Sequence, residues 1–245
     1  MIRLLVFDID GVLTDGEAQA LDLPLLAQLA DMNRAARAGA QLPPVTLCTG
    51  RPAPYVEVML QAIDGHLPGV FENGAGLYFP RGYRFVRNPA VDGQTDMHTV
   101  RQQLQEGLVN SGFAFFQPGK EYTLTLFAED PADTPLLESR ATEALGPLSE
   151  AVSLVYSTSC LNVLPAGIDK AQGIVFLGEE TGVSPQQMLG VGDSDVDIPF
   201  LTLVGHAAAP ANAVPAVKAL AQFVAGKATS AGVREILEHY DLNPA

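Results

Sequence analysis

The sequence predicts an α/β protein: a Rossmann-like parallel-sheet core interrupted by an inserted α+β domain. Two observations carry this. In the first and last thirds of the 245 residues, short apolar runs alternate with segments of helical period, and several of the runs end in Gly, Thr or Asp. Between them, residues 82 to about 156 lack that strand-loop-acid pattern. The core is therefore expected over residues 1–81 and 157–245, and the insert over 82–156.

Residues 2–7 form the first strand, because Leu4 to Phe7 is a continuous apolar stretch suited to burial on both faces. A helix near 22–38 follows, with Leu25, Leu26, Leu29 and Ala30 at helical spacing and Gly39 as its stop. A strand at 44–48 leads to a helix opened by Pro52 and Pro54 and running to about Ile63. A short strand at 69–71 then meets Glu72-Asn73-Gly74-Ala75-Gly76, where Asn-Gly predicts a tight hairpin turn into Leu77-Tyr78-Phe79.

In the insert the pattern predicts a helix at 95–109, strands near 113–116 and 122–128, a helix at 134–145 and a strand at 151–156. The alternation from Tyr122 to Phe127 suits a half-buried sheet with one polar face. The core pattern is then expected to resume with a strand at 160–164, a helix at 169–181 and a strand at 187–191. A short helix from about 195, a strand at 202–207 and helices near 213–221 and 231–240 complete the chain.

Composition bounds the partners. Apolar residues make up 47% and charged residues 17%, as in a packed globular protein. A formal net charge of -14 argues against nucleic acid, whose phosphates need Lys and Arg. No apolar run approaches a membrane span, so no membrane partner is expected, and no feature specifies an oligomeric state. Cys48 and Cys160, the only cysteines, lie in apolar stretches and read as reduced thiols of a cytoplasmic protein.

Four segments carry chemistry. Asp8 and Asp10 close the first strand, and side chains two apart on an extended segment point the same way. Two carboxylates so close either share a proton or bind a cation, for which magnesium is a fitting hard ion. Thr49-Gly50-Arg51 ends the second strand and gathers a hydroxyl, a glycine amide and a helix start, a combination suited to an anion. Arg51 offers a bidentate clamp for a further anionic group. Lys170 falls in the first turn of a helix capped by Asp169, where a cation opposes the helix dipole unless an anion is bound nearby. Gly192-Asp193-Ser194-Asp195-Val196-Asp197 places three carboxylates after another apolar strand, and they cannot all ionise cheaply without a cation.

The order Asp-x-Asp, Thr-Gly-Arg, Lys and Gly-Asp-x-x-x-Asp, on successive strand ends over nearly the whole chain, resembles the haloacid dehalogenase superfamily of phosphohydrolases. The insert, placed between Thr49-Gly50-Arg51 and Lys170, resembles the type II cap domain of its Cof-like subclass B, and Glu72-Asn73-Gly74-Ala75 resembles that subclass's signature. The tail Ala208-Ala209-Pro210-Ala211-Asn212-Ala213 is similar to that of the archaeal-type phosphoglycolate phosphatases. The sequence departs from the pattern at Val196, where an Asn is usual, and at Val12, where many members carry Thr.

The resemblance implies a magnesium-dependent phosphatase acting on a small phosphate monoester, such as phosphoglycolate or a sugar phosphate. Asp8 is then the nucleophile that becomes a phosphoaspartate, and Asp10 the general acid and base. Mg2+ would be held by Asp8, the main-chain carbonyl of Asp10 and Asp193, with Asp197 in support. Thr49, Gly50 and Lys170 would hold the phosphoryl group, with Arg51 an anchor for a substrate carboxylate. Two alternatives stand beside this reading: a phosphotransferase of the phosphomutase type, and a phosphate-binding protein without turnover.

Overall fold

The computed structural model describes residues 1–93, 95–157 and 159–242. β1 (Leu4–Phe7) is buried along its whole length, as a strand covered on both faces must be. α1 (Leu23–Arg37) starts where Asp22 accepts a hydrogen bond from the Leu25 amide, and its Leu25, Leu29 and Met32 enter the core. β2 (Val45–Leu47) and α2 (Ala53–Ala62) follow as expected.

β3 (Gly69–Phe71), β4 (Gly76–Phe79) and β5 (Arg84–Arg87) form a separate antiparallel sheet. It hangs from the core through a parallel bridge between Cys48 and Val70. The hairpin is present, but its turn is longer than Asn-Gly alone: Phe71 pairs with Gly76, and Glu72, Asn73 and Gly74 have φ of 50°, 55° and 99°. β5 was not anticipated, since its exposed Arg84, Phe85 and Arg87 give no buried face to read.

The insert contains α3 (Met97–Leu104), continued by a wider turn at Gln105–Val109, then β6 (Ala114–Phe116), β7 (Leu124–Ala128), α4 (Leu137–Leu145), β8 (Val152–Tyr156) and β9 (Leu161–Pro165). Its sheet runs β6-β7-β9-β8, antiparallel throughout. Leu124, Leu126, Leu161 and Val163 pack on one face with Val100 and Leu104 of α3 and Leu137 of α4. The strand expected at 160–164 was assigned to the resuming core. Hydrogen bonding instead puts it, as β9, between β7 and β8. Its Leu161-Asn162-Val163 alternation is that of a strand with one apolar face, whereas β1 and β10 run apolar or glycine throughout. β5 and β9 therefore fall on the other side of the limits expected at 82 and 156.

α5 (Lys170–Thr181), β10 (Met188–Val191), α6 (Ile198–Leu203), β11 (His206–Ala209), α7 (Pro215–Leu220), β12 (Phe223–Val224) and α8 (Thr229–His239) complete the chain. The strand expected at 202–207 begins only at His206, because α6 runs to Leu203. Phe200 and Val204 pack against Gly190, where a Cβ would lie 2.7 Å from the Phe200 ring. Short apolar runs do not separate helix from strand by period.

The core sheet has the order β12-β11-β10-β1-β2, all parallel. Phe7 pairs with Leu47 on one side and Val191 on the other, so Asp8, Thr49 and the Gly192-Asp193 loop leave adjacent strands at one edge. Ligands of open α/β sheets bind at that edge. No helix among the described residues is long and apolar enough to cross a membrane.

Candidate active site

Asp8 extends β1 by one residue, its amide donating to the Val191 carbonyl at 2.9 Å. The chain then folds tightly, with the Leu13 and Thr14 amides both donating to the Ile9 carbonyl. Gly11 is required here twice over: its φ is 78°, and a Cβ would lie 2.1 Å from Asp193 Oδ2. The side chain of Asp8 is buried and that of Asp10 partly open to the cleft.

Lys170 is fully enclosed, with Nζ 3.0 Å from Asp8 Oδ1 and 2.5 Å from Asp197 Oδ1. Asp169 caps the helix by accepting from the Gln172 amide. Asp197 Oδ2 accepts hydrogen bonds from the Asp193 amide, the Ser194 amide and Ser194 Oγ at 3.0–3.1 Å. Both Asp197 oxygens are thus engaged, which ties Lys170 to the loop that carries Asp193. Asn212 donates to the Gly11 carbonyl and to Asp193 Oδ2, joining that loop to the one after β1.

Asp8, Asp193 and Asp197 each present an oxygen within 4.8 Å of the others. Burial pushes Asp8 well above the usual carboxylate range; Lys170 works against this, while Asp197, Asp193 and Asp10 add to it. Burial, then the charge of Asp197, pushes Asp193 up to about 7. Burial opposes the Lys170 ammonium, but Asp197 and Asp8 outweigh it and hold the proton on. Two buried acids, Asp8 and Asp197, and the half-buried Asp193 against one lysine leave an excess of negative charge on hard oxygen donors. That donor set fits a divalent cation such as magnesium, with Asp8 and Asp193 the carboxylates free to reach it.

The second strand end supplies donors. Thr49 is buried, and its Oγ1 accepts from the Arg51 amide at 3.2 Å. Asn73, held by its own amide on the Thr49 carbonyl, lines the same cleft, and its buried Nδ2 has no hydrogen-bond partner among the described residues. Its side chain fills the space a Cβ on Gly50 would need, with Oδ1 only 2.9 Å away. Asn73 was not foreseen as a site residue; Asn-Gly read as turn chemistry, and only the φ of 55° brings it here. Arg51 lies elsewhere than a free anion clamp would. Its Nε and Nη2 donate to the two Asp10 oxygens, each at 2.7 Å, and its guanidinium stacks over Tyr55.

The insert overhangs this edge, leaving an open cleft of about 390 Å³ between Asp8, Lys170 and Asp193 below and Lys120, Thr125 and Asn162 above. Glu72 pins the roof. Wholly buried at φ 50°, it accepts from the amides of Glu121, Tyr122 and Thr123 at 2.8–2.9 Å and from Thr123 Oγ1 at 3.1 Å. At the other side Ser159 Oγ donates to Glu17 of the core at 3.0 Å.

Residues 114–237 match the family model of haloacid dehalogenase-like hydrolases. A phosphoglycolate phosphatase of Pyrobaculum aerophilum is 30% identical over 246 residues, covering 96% of this chain and 94% of that protein. An HMP-PP phosphatase of Escherichia coli is 27% identical, covering 89% of this chain and 88% of that protein. Among solved structures, a haloacid dehalogenase-like hydrolase from Bacteroides thetaiotaomicron superposes with a TM-score of 0.76 at 18% identity, over 98% of this chain and 100% of that one.

Proposed function

The chain belongs to the haloacid dehalogenase-like hydrolases, and from that premise we propose that it hydrolyses small phosphate monoesters with magnesium, through a phosphoaspartate on Asp8. One observation carries the reading: a buried carboxylate at a strand end, 3.0 Å from a buried lysine and beside a second carboxylate that fits a cation.

Asp8 attacks phosphorus, so an Asp8 O–P bond forms as the ester P–O bond breaks, and Asp10 gives its proton to the leaving oxygen. Water then attacks the phosphoaspartate, Asp10 takes a proton from it, and the Asp8 O–P bond breaks to release phosphate. Lys170, Thr49 and the Gly50 amide stabilise charge on the phosphoryl oxygens, and the unpartnered Asn73 Nδ2 supplies a further donor. Arg51 donates to both Asp10 oxygens, so this pair opens at one oxygen before Asp10 can carry the proton it transfers. Asp8, Asp193 and the main-chain carbonyl of Asp10 would hold the Mg2+, with Asp197 aligning them through Lys170 and the Asp193 amide. When bound, the ion offsets the repulsion between the Asp8 carboxylate and the phosphate dianion.

The roof limits the space over Asp8, which favours small esters over phosphoproteins. Phosphate release from a panel of small monoesters, with and without magnesium, tests the proposal. Release that needs magnesium and is lost in Asp8→Asn is the expected result. Release unaffected by chelation would overturn the metal requirement, and a need for a bisphosphate activator would indicate a mutase.

A further inference from the structure

Three cations line the cavity: Arg51, Lys170 and Lys120. Arg51 is taken up by Asp10, and Lys170 by Asp8 and Asp197. Lys120, on the loop between β6 and β7, differs from both. Its Nζ donates to Thr125 Oγ1 and lies 3.4 Å from Asn162 Oδ1, both neutral oxygens. Among the described residues no carboxylate forms an ion pair with it.

Its surroundings hold it in place. Thr125 Oγ1 donates in turn to Asn162 Oδ1 at 2.8 Å, and both side chains are buried on the face of the insert's sheet that looks into the cleft. Glu72, a buried acid whose charge acts on Lys120, has both oxygens occupied by residues 121–123, immediately after Lys120. Glu72 therefore fixes the backbone beside Lys120 without neutralising it. A partly enclosed ammonium whose partners are all neutral has the most to gain from an anionic ligand.

We propose that Lys120 is the specificity-determining residue of this site, binding a carboxylate on the leaving part of the ester, so that the substrates are phosphorylated short-chain hydroxy acids. This rests on the phosphatase reading and narrows it. The phosphoryl group lies at the core side, on Thr49, Gly50 and Lys170, and the carboxylate at the roof. A single ammonium among neutral hydrogen-bonding groups suits a monoanion; a second phosphate would call for the bidentate arginines that are absent from this wall. Burial also lowers the Lys120 ammonium to about 8, partly offset by Glu72, Cys160 and Asp10 and reinforced by Arg51.

The test compares 2-phosphoglycolate with glycerol phosphate, whose leaving part is uncharged, using the full chain with magnesium. The wild type is expected to favour phosphoglycolate in kcat/KM. Lys120→Met should lower the ratio of the two kcat/KM values by about tenfold to a hundredfold, the range of one charge-assisted hydrogen bond, mainly through KM. Lys120→Arg should restore part of it. A wild type that prefers glycerol phosphate, or a ratio unmoved by either substitution, would overturn the proposal. Calorimetric titration of both esters into Asp8→Asn and Asp8→Asn/Lys120→Met reads the same discrimination without turnover. Selective binding there, with no phosphate release by the wild type, would sink the hydrolase reading and leave the anchor standing; binding without selectivity would remove the anchor.

Discussion

Asp8 illustrates how one side chain serves two opposed demands. Its burial beside Asp193 and Asp197 favours the neutral form in the metal-free protein, while nucleophilic attack needs the anion. Asp8→Asn should therefore abolish phosphate release and yet leave the melting temperature of the metal-free protein at pH 8 no lower, because the amide keeps the uncharged form that burial favours. A lower melting temperature under those conditions would show that the pair with Lys170 outweighs the repulsion. Val196 makes a second case. It lines the cleft half-buried, in the loop that Asp197 organises, and has no polar group to offer. Val196→Asn is expected to leave magnesium affinity equal or up to about tenfold tighter, the worth of one added hydrogen bond. Calorimetry of magnesium binding checks it, and a marked loss would mean the loop is built around valine.

At the scale of elements, the left-handed stretch Glu72–Gly74 joins the two halves of the site. It aims Asn73 at the phosphate cleft and Glu72 at residues 121–123, just before β7. Glu72→Gln keeps the shape but sets an NH2 group against backbone donors. The change should destabilise the protein by about 3 kcal/mol, as for loss of buried charge-assisted hydrogen bonds. Urea unfolding would read it, and hydrogen exchange should speed first at residues 121–126. Normal exchange there would mean that the roof is held elsewhere, as by Ser159 and Glu17.

For the molecule as a whole, the acids at the sheet edge couple stability to pH and metal. Asp193 rises from an ordinary 3.8 to about 7 on folding. A raised carboxyl contributes stability that is fully present below its unfolded value and is lost as pH rises through its folded value. Asp8 shifts in the same direction. Between about pH 4 and pH 7 the metal-free protein should therefore lose stability from these groups as pH rises, and magnesium should restore it most above pH 7. The melting-temperature gain on adding magnesium is expected to be larger at pH 8 than at pH 5.5. An equal gain at both would place the ion away from Asp8 and Asp193.

The sequence by itself determined the layout of the core: apolar strands ending in Asp8, Thr49 and Asp193 announce themselves locally, because a strand buried on both faces must be a continuous apolar run and its loop chemistry follows at once. Lys170 was legible for the same reason, through its helix cap at Asp169. Other features depended on partners far along the chain. The membership of β9 in the insert's sheet is decided by its pairing with β7 and β8, and no residue within 161–165 names those partners. Arg51 carried the right charge in the right motif, yet only its contact with Asp10, 41 residues away, reveals what that charge is spent on. Lys120 gave no separable signal, since a lysine in a polar loop is ordinary in sequence, and Glu72 stood in the signature Glu72-Asn73-Gly74-Ala75 without its contact being readable there. Tertiary structure set both, because burial and the pairing of charges depend on which distant segments meet.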